Sequence, residues 1–152
     1  MYKDLWEVYE SPEAYFVDSI LRRMSGQNTV TKPQLLEAVM QTQVGKREKI
    51  GRLCLLTKAD LFDLLVRERG EEAFHMFPVG ITAPPFQRRF DVTRIELEKL
   101  SRLGLVRQTG EYRLRDGTVC KLFSVWDLFH ADSGKIREAV EKMREAADGA
   151  GD

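Results

Sequence analysis

The sequence predicts a mainly helical chain with one small β-hairpin, which is an α+β fold. In most of the chain, apolar residues recur at the spacing of one helical face, and capping residues precede these stretches. Residues 91–125 differ, because a helical pattern there runs directly into two β-rich runs joined by Asp116 and Gly117. An Asp-Gly pair between such runs is typical of a tight hairpin turn. We therefore expect the fold to be organised around this helix and hairpin.

The helix of this stretch is predicted to span residues 93–103. Asp91 or Thr93 can cap its start, and Glu96 completes a capping box with Thr93, in which each side chain bonds the backbone N–H of the other residue. Gly104 is expected to end the helix in the left-handed conformation. The apolar residues expected to face the core are Ile95, Leu97, Leu100 and Leu103.

The hairpin is predicted to pair residues 111–115 with residues 118–125 across a type I′ turn at Asp116 and Gly117. In this register Arg113 lies opposite Cys120. The side chains expected on the helix-facing side are Tyr112, Leu114, Val119 and Phe123. The other face, with Arg113, Arg115 and Thr118, is then free to meet a ligand.

The end of the helix and the hairpin together resemble the winged helix-turn-helix superfamily. The third helix of that superfamily commonly ends in a leucine-leucine-glycine-leucine-valine pattern before a two-stranded wing, and this chain has Leu100, Leu103, Gly104, Leu105 and Val106. The resemblance covers about a quarter of the chain and indicates an architecture. It implies a winged helix with helical extensions at both ends, whose third helix enters the major groove of DNA.

By position, the resemblance implies contacts to double-stranded DNA from both the helix and the wing. The helix contacts would be Arg94, Lys99 and Arg102, and the wing contacts Arg107, Arg113, Arg115 and Lys121. Arg88 and Arg89, just ahead of the helix, are further candidates for phosphate contact. Glu96 and Glu98 lie on the same helix, and carboxylates facing phosphates would oppose binding. The prediction therefore requires both carboxylates to point elsewhere.

The formal net charge is zero, so attraction to nucleic acid has to come from a local basic patch. Residues 44–58 have five basic residues against one acidic residue, and residues 88–121 have nine against five, so each segment has a net charge of +4. In the first segment, Lys46, Arg47 and Lys49 are candidates for phosphate binding. A solvated charged face is the alternative, and the segment 45–56 fits either a basic amphipathic helix or a strand.

The remaining helices are predicted from their capping patterns. Ser11 with Pro12, Thr31 with Gln34, and Thr57 with Asp60 mark the starts of helices expected at 12–25, 31–42 and 58–69. The chain is expected to be one domain with three parts: N-terminal helices at 1–43, a winged-helix core at 44–128, and a C-terminal helix with a frayed tail at 129–152.

Two arrangements of the three core helices remain open. In the first, helices 12–25 and 31–42 precede an insertion at 44–90 and the third helix. In the second, helices near 46–56 and 58–69 belong to the core. A long or proline-rich connection precedes the third helix in both, because Pro84 and Pro85 are expected to limit 86–90 to a single turn.

The chain termini suggest a homodimer. Ser133 is predicted to cap the last helix, in which Ile136, Val140 and Met143 form a narrow apolar stripe. Such a stripe can pack on its own domain or pair across a two-fold axis, and we expect the pairing. The aromatic residues of the N-terminal helices, Trp6, Tyr9, Tyr15 and Phe16, are interpreted as core or dimer contacts.

No residue pattern predicts an enzyme, a metal or a cofactor. Cys54, His75, Cys120 and His130 are scattered singly, without the spacing of a zinc site, and no glycine-rich phosphate-binding loop is present. The sequence has no export signal and no apolar run long enough to cross a membrane. With only two cysteines, we expect a cytoplasmic protein without membrane contact.

These observations favour a dimeric winged-helix transcriptional regulator that binds double-stranded DNA. One alternative is a winged-helix protein-interaction module, an accessory subunit of a nucleic-acid-handling complex whose partner is another protein. Another is a DNA-binding protein of replication or of a mobile element. Salt-dependent binding of duplex DNA would separate the DNA-binding interpretations from the interaction module.

Overall fold

The computed structural model describes residues 3–24 and 26–150, and these residues form a mainly helical chain with one two-stranded antiparallel sheet. The helices are α1 (Leu5–Val8), α2 (Pro12–Tyr15), α3 (Lys32–Met40), α4 (Gln43–Arg47), α5 (Ile50–Leu53), α6 (Lys58–Arg69), α7 (Ala83–Phe90), α8 (Arg94–Arg102), α9 (Val125–His130) and α10 (Ser133–Ala150). A π-helical stretch (Phe16–Leu21) continues α2, and a 3-10 stretch (Gly70–His75) follows α6. The strands are β1 (Gln108–Arg113) and β2 (Val119–Phe123). The predicted α+β class is confirmed.

The capping boxes predicted for α3, α6 and α8 are confirmed. At α8, Thr93 Oγ1 accepts from the N–H of Glu96 at 3.1 Å, and Glu96 Oε1 accepts from the N–H of Thr93 at 2.9 Å. Gly104 follows at φ 78°, and the N–H of Leu105 donates to the carbonyl of Leu100. These bonds close both ends of the helix through neighbouring residues, which is why the sequence reveals them.

Several predicted helix boundaries are wrong. The helix expected at 12–25 stops at Leu21, and Met24 is 92% exposed. The segment 45–56 is not a strand but is helical in two short pieces, α4 and α5. Asp132 rather than Ser133 caps α10, because its Oδ1 accepts the N–H of Lys135 at 3.1 Å.

The tail expected to fray at the end of the C-terminal helix is helical as far as Ala150. Because α10 packs on the domain from its first turns onward, its helical hydrogen bonding propagates into the small residues beyond the packed part. The last two residues, 151–152, lie outside the described chain.

The expected single turn at 86–90 is a full helix, α7, so that prediction is wrong. Pro84 and Pro85 fall in the first turn of α7, where a missing N–H costs no intrahelical bond and the fixed φ suits the helix. The helix ends at Asp91, which takes the left-handed conformation at φ 52°, and Thr93 then caps α8. A connection of only three residues joins α7 to α8, so the long or proline-rich connection expected ahead of the third helix is not present.

A short extended segment just before α7 pairs with β2. The N–H of Ile81 donates to the carbonyl of Phe123 at 2.9 Å, and the N–H of Phe123 donates to the carbonyl of Ile81 at 2.8 Å. The side-chain amide of Asn28 bonds both backbone groups of the preceding Gly80. Gly80 fits because a Cβ there would lie 2.3 Å from the carbonyl oxygen of Phe123. Along the chain, α6 and the 3-10 stretch are therefore followed by Ile81, which pairs with β2, and then by α7, α8 and the hairpin.

The hairpin forms as predicted, but its register is wrong by one residue. The N–H of Leu114 donates to the carbonyl of Thr118 at 2.8 Å, so the loop has three residues and Gly117 takes φ 90°. This is the turn with a glycine bulge rather than the two-residue type I′ turn. Arg113 consequently lies opposite Val119, not opposite Cys120.

The shifted register redistributes the faces of the hairpin. Cross-strand partners share a face, so Arg113 shares one with Val119, while Tyr112 shares the other with Cys120. The predicted helix-facing set of Tyr112, Leu114, Val119 and Phe123 is therefore wrong. Leu114 and Val119 are 42% and 37% exposed, whereas Phe123 is buried.

The core contains a cluster of three packed phenylalanines. Phe16 and Phe62 stack with ring centroids 4.2 Å apart, and Phe74 meets both edge-on. This cluster joins the π-helical stretch, α6 and the 3-10 stretch. Phe16, predicted as core or dimer contact, is therefore core.

Two further stripes differ from the prediction. On α8, Leu97 and Leu100 are buried, but Ile95 and Leu103 are 66% and 62% exposed, so their predicted burial is wrong. On α10, Ile136 and Val140 are buried, and the helix packs on α7 and α8. The stripe that suggested a dimer is thus covered within one chain. No described helix is both long and apolar enough to cross a membrane.

Candidate nucleic-acid interface

The outward side of α8 presents two cations. Each helical residue advances about 100° around the axis, so Ile95, Lys99 and Arg102 fall together, opposite the buried Leu97. Lys99 and Arg102 are exposed, and within the described residues neither forms a salt bridge or a side-chain hydrogen bond. Both are available to a phosphate or a base edge.

Glu96 does not share this outward side, because α10 holds it. Arg144 Nε lies 2.9 Å from Glu96 Oε2, and Arg144 Nη2 lies 3.2 Å from Oε1. The side chain of Glu96 is 13% exposed. The hydrogen bonds from Arg144, followed by those of the capping box, lower the pKa of Glu96 to about 2. The carboxylate is therefore paired and turned away from the outward side of α8.

Glu98 is paired in the same manner on the side of α8 that faces β2. Lys121 Nζ lies 3.4 Å from Glu98 Oε1, and Arg94 Nε lies 3.9 Å from it. The side chain of Glu98 is 25% exposed. The requirement that both carboxylates of the helix point elsewhere is therefore met.

Replacing Glu96 with glutamine isolates its charge, since glutamine at this position still completes the capping box. The folded pKa of Glu96 is depressed, so its contribution to stability is complete above about pH 5 and is lost as the pH falls towards 2. We expect Glu96→Gln to lower the free energy of unfolding by about 1 kcal/mol at pH 7. The value is modest because Arg144 is half exposed, and solvent weakens its ion pair with Glu96. The difference from the parent should shrink below about pH 5 and vanish only below about pH 2. Urea unfolding across this range measures it, and a difference independent of pH would contradict the ion pair.

The hairpin presents Arg113 and Arg115 at its tip. Both are exposed and, in the part of the chain that the structure describes, form no salt bridge through their guanidinium groups. The side-chain amide of Gln27 bonds both backbone groups of Arg113, accepting its N–H at 2.6 Å and donating to its carbonyl. Gln27 thereby occupies the free edge of β1 and fixes the tip. Sequence reasoning missed Gln27, which lies in a polar loop 86 residues away.

Arg88 and Arg89 are engaged with the N-terminal helix. Arg88 Nε donates to Asp4 Oδ1 at 2.8 Å, and the guanidinium of Arg89 lies 5.4 Å from the ring centroid of Trp6. The ring interaction is of the cation–π type. These two arginines hold α1 against α7, so their guanidinium groups are engaged within the domain.

Arg107 lies in an ion-pair network inside the domain. Its guanidinium bonds Asp127 through Nε and Nη2 at 3.1 and 2.9 Å, and its Nη2 lies 3.0 Å from Glu71. The side chain of Asp127 is only 8% exposed. The hydrogen bonds that the Arg107 guanidinium donates to Asp127 raise the pKa of Arg107 further above its ordinary value. Arg107 thus braces the start of β1 against α9, so its guanidinium is also engaged within the domain.

The first basic segment lies elsewhere in the packing. Lys46 and Arg47 are exposed on α4, and Lys49 follows it. Helix α4 packs on α3 and α6, whereas α8 packs on α7 and α10. We therefore treat this segment separately from α8 and the hairpin.

The histidine and cysteine side chains contribute no visible chemistry to this surface. His75 Nε2 lies 2.6 Å from Ser124 Oγ, but Ser124 is fully buried and caps α9, so a substrate has no access to it. Burial, followed by the charge of Arg107, lowers the pKa of His75. Cys54 and Cys120 are free thiols. Among the described residues, no three metal-ligating side chains cluster.

Comparison with known proteins adds no family to this geometry. No protein-family model matches the chain, and neither a curated protein nor a solved structure matches it significantly. The functional conclusion therefore rests on the fold and on the charges of α8 and the hairpin.

Proposed function

We propose that the protein is a winged-helix protein that binds double-stranded DNA. In this proposal α6, α7 and α8 are the three core helices, α7 and α8 form the helix-turn-helix, and β1 and β2 form the wing. The three-residue connection between α7 and α8 and the bridge from Ile81 to β2 support it. Helices α1 to α5 and α9 to α10 are then the extensions.

The observation that carries the proposal is the sorting of charge on α8. Lys99 and Arg102 lie outward and have no salt-bridge partner among the described residues, whereas Glu96 and Glu98 are turned aside and neutralised. A helix that enters a groove between two phosphate backbones needs this distribution, because an outward carboxylate would repel the phosphates. Exposed Ile95 suits contact with a thymine methyl group. Arg113 and Arg115 extend the positive surface along the wing.

The variant Lys99→Ala/Arg102→Ala tests this role. Fluorescence anisotropy with a labelled duplex of about 20 base pairs, at several salt concentrations, gives the slope of log Kd against log salt. Loss of two phosphate contacts should reduce the magnitude of that slope by about 1.8, and loss of a base contact should relax sequence preference.

A matched control removes the same charge elsewhere. Lys3→Ala/Arg67→Ala takes one lysine ahead of α1 and one arginine from α6, both exposed, and within the part of the chain that the structure describes Arg67 pairs only with Asp63. It should leave the slope unchanged. Equal losses for the two variants would mean that net charge, and not α8, governs binding.

We further propose that the protein acts as a homodimeric regulator of transcription. Two copies related by a two-fold axis would place their α8 helices in half-sites about one DNA turn apart. Since Ile136 and Val140 are buried within one chain, a dimer has to use another surface. Light scattering across a range of concentrations tests this, and a monomer mass throughout would remove the dimer.

The second candidate is a module that binds another protein. It is favoured by Ile95 and Leu103, which expose large apolar side chains on α8 at 66% and 62%, and by the zero net charge. If binding to duplex DNA is absent or does not depend on salt, this candidate is favoured over both DNA-binding candidates, the regulator and the protein of replication or of a mobile element.

A further inference from the structure

A groove of about 380 Å³ lies between the start of α7, the inner side of α8 and β2. This volume falls in the range of small-molecule sites. Leu97 and Phe123, which are 0% and 1% exposed, belong to its lining, together with Ala83 and Pro84. The lining is therefore largely apolar and is supported by the rigid core beneath it.

Three charged side chains line the same groove. Glu98 stands between Lys121 at 3.4 Å and Arg94 at 3.9 Å, so one negative charge faces two positive ones. At 3.9 Å Arg94 makes no hydrogen bond with Glu98, and its side chain is 69% exposed. Its guanidinium keeps its donors for a second carboxylate, to which it can bond through two parallel N–H groups.

The remaining polar groups are neutral. Gln87, Thr118 and Cys120 add hydrogen-bonding atoms to the lining. An apolar lining with one excess positive charge disfavours cations and inorganic phosphate, which need several charges or donors. It is complementary to an apolar body that carries one negative charge.

We propose that this groove binds a small organic monoanion, with its apolar body on Ala83 and Pro84 above the buried Leu97 and Phe123 and its carboxylate against Arg94 and Lys121, and that this binding opposes DNA binding. The second half rests on the proposed function. The anion neutralises the one excess positive charge that Arg94, Lys121 and Glu98 leave between α8 and the wing, on a surface that is to meet phosphates. The effect is reciprocal, so DNA weakens binding of the anion by the same factor.

Naphthalene-2-carboxylate is a suitable probe, and naphthalene-2-methanol is its neutral counterpart of the same shape. Titration of the ¹⁵N-labelled chain, followed by amide chemical shifts, should give saturable changes around Leu97 and Lys121 with a Kd of about 1 mM for a rigid ligand of this size. The alcohol should bind at least about tenfold more weakly, the loss expected for one charge-assisted contact.

The variant Arg94→Gln/Lys121→Gln should bind the carboxylate no more tightly than the parent binds the alcohol, because Glu98 remains in the groove without its two cations. Both side chains are partly exposed, and the spectrum itself reports whether the variant is folded. The control Lys3→Gln/Arg67→Gln should bind like the parent. Equal affinity of the parent for the two probes, or shifts confined to residues outside the groove, would overturn the site.

The regulatory half needs DNA in the same solution. About 5 mM naphthalene-2-carboxylate, roughly five times the expected Kd, should weaken duplex binding of the parent by about sixfold. An unchanged DNA affinity with the groove saturated would overturn the regulatory half. If the parent binds the probe in the groove but binds no DNA, both the proposed function and the regulatory half are overturned. The site itself would still be supported by the titration.

Discussion

Replacement of both Arg113 and Arg115 by alanine is expected to weaken binding to duplex DNA by about 10- to 100-fold near 0.1 M salt, since each lost phosphate contact lowers the salt slope by about 0.9. Both side chains are exposed at the tip of the hairpin, and Gln27 fixes the backbone beneath them. Because they are proposed to contact phosphate or a narrow minor groove, the loss should be similar for all sequences. Anisotropy with several unrelated duplexes measures it.

The same variant should keep the stability of the parent. Neither guanidinium has a salt-bridge partner among the described residues, so urea unfolding should be unchanged within about 0.5 kcal/mol. This separates a lost contact from a damaged fold. If the folded variant binds duplex DNA as tightly as the parent at low salt, the wing is no DNA contact and the protein-interaction candidate takes the lead.

Replacement of Arg107 by alanine is expected to cost about 2–3 kcal/mol of unfolding free energy. The substitution removes the guanidinium from the nearly buried Asp127 carboxylate. Of the bonds that residue 107 donates to Asp127, only the one from its backbone N–H then remains. Loss of one partner from a fully buried pair typically costs 3–5 kcal/mol, and the lower figure allows for the 37% exposure of the Arg107 side chain. A fall in melting temperature of about 5–10 °C should accompany it.

Arg67→Ala is the matched control for that loss. Arg67 and Asp63 form an ion pair of similar length, 2.9 Å, but both are mostly exposed on α6. An exposed pair of this kind contributes about 0.5 kcal/mol or less. Adding Asp127→Asn to Arg107→Ala should recover part of the loss, because it removes the uncompensated charge. Equal costs for Arg107→Ala and Arg67→Ala would show that the network contributes no more than a surface pair.

The features that the sequence predicts correctly depend on neighbouring residues. Thr93 and Glu96 bond each other across one helical turn, and Gly104 takes its positive φ directly after α8. The tip of the hairpin follows from Asp116 and Gly117 in the same manner. Such interactions are complete within a few residues, so the residue types alone reveal them.

The errors come from residues whose effect depends on position or on distant partners. Pro84 and Pro85 interrupt a helix in most positions but are tolerated in the first turn, where α7 places them. Gly117 serves a two-residue turn and a three-residue turn with a bulge equally well, and this ambiguity changed the register. Leu103 has the spacing of the apolar face of α8 but lies exposed. Which leucines of α8 are buried therefore depends on what the helix packs against, and not on their spacing alone.

The sequence indicates which basic residues lie near the candidate site, but not which of them are exposed and which are engaged in ion pairs. Arg113, Arg115, Lys99 and Arg102 lie exposed, as a DNA contact requires. Arg107 is of the same residue type and lies next to the wing, but Asp127, 20 residues away, engages it. The pairing of Glu96 with Arg144 spans 48 residues. No local pattern encodes these partners, because the fold alone brings them together.

Whether α8 and the wing form one DNA-binding face can be read from a map of the contact. Addition of a short unlabelled duplex to the ¹⁵N-labelled chain in low salt should shift the amide signals of residues 95–103 and 113–118 together. Those of α4 and α6 should stay in place. Shifts confined to the basic segment 44–58, or no shifts at all at DNA concentrations well above about 0.1 mM, the weak end of non-specific binding, would contradict the claim.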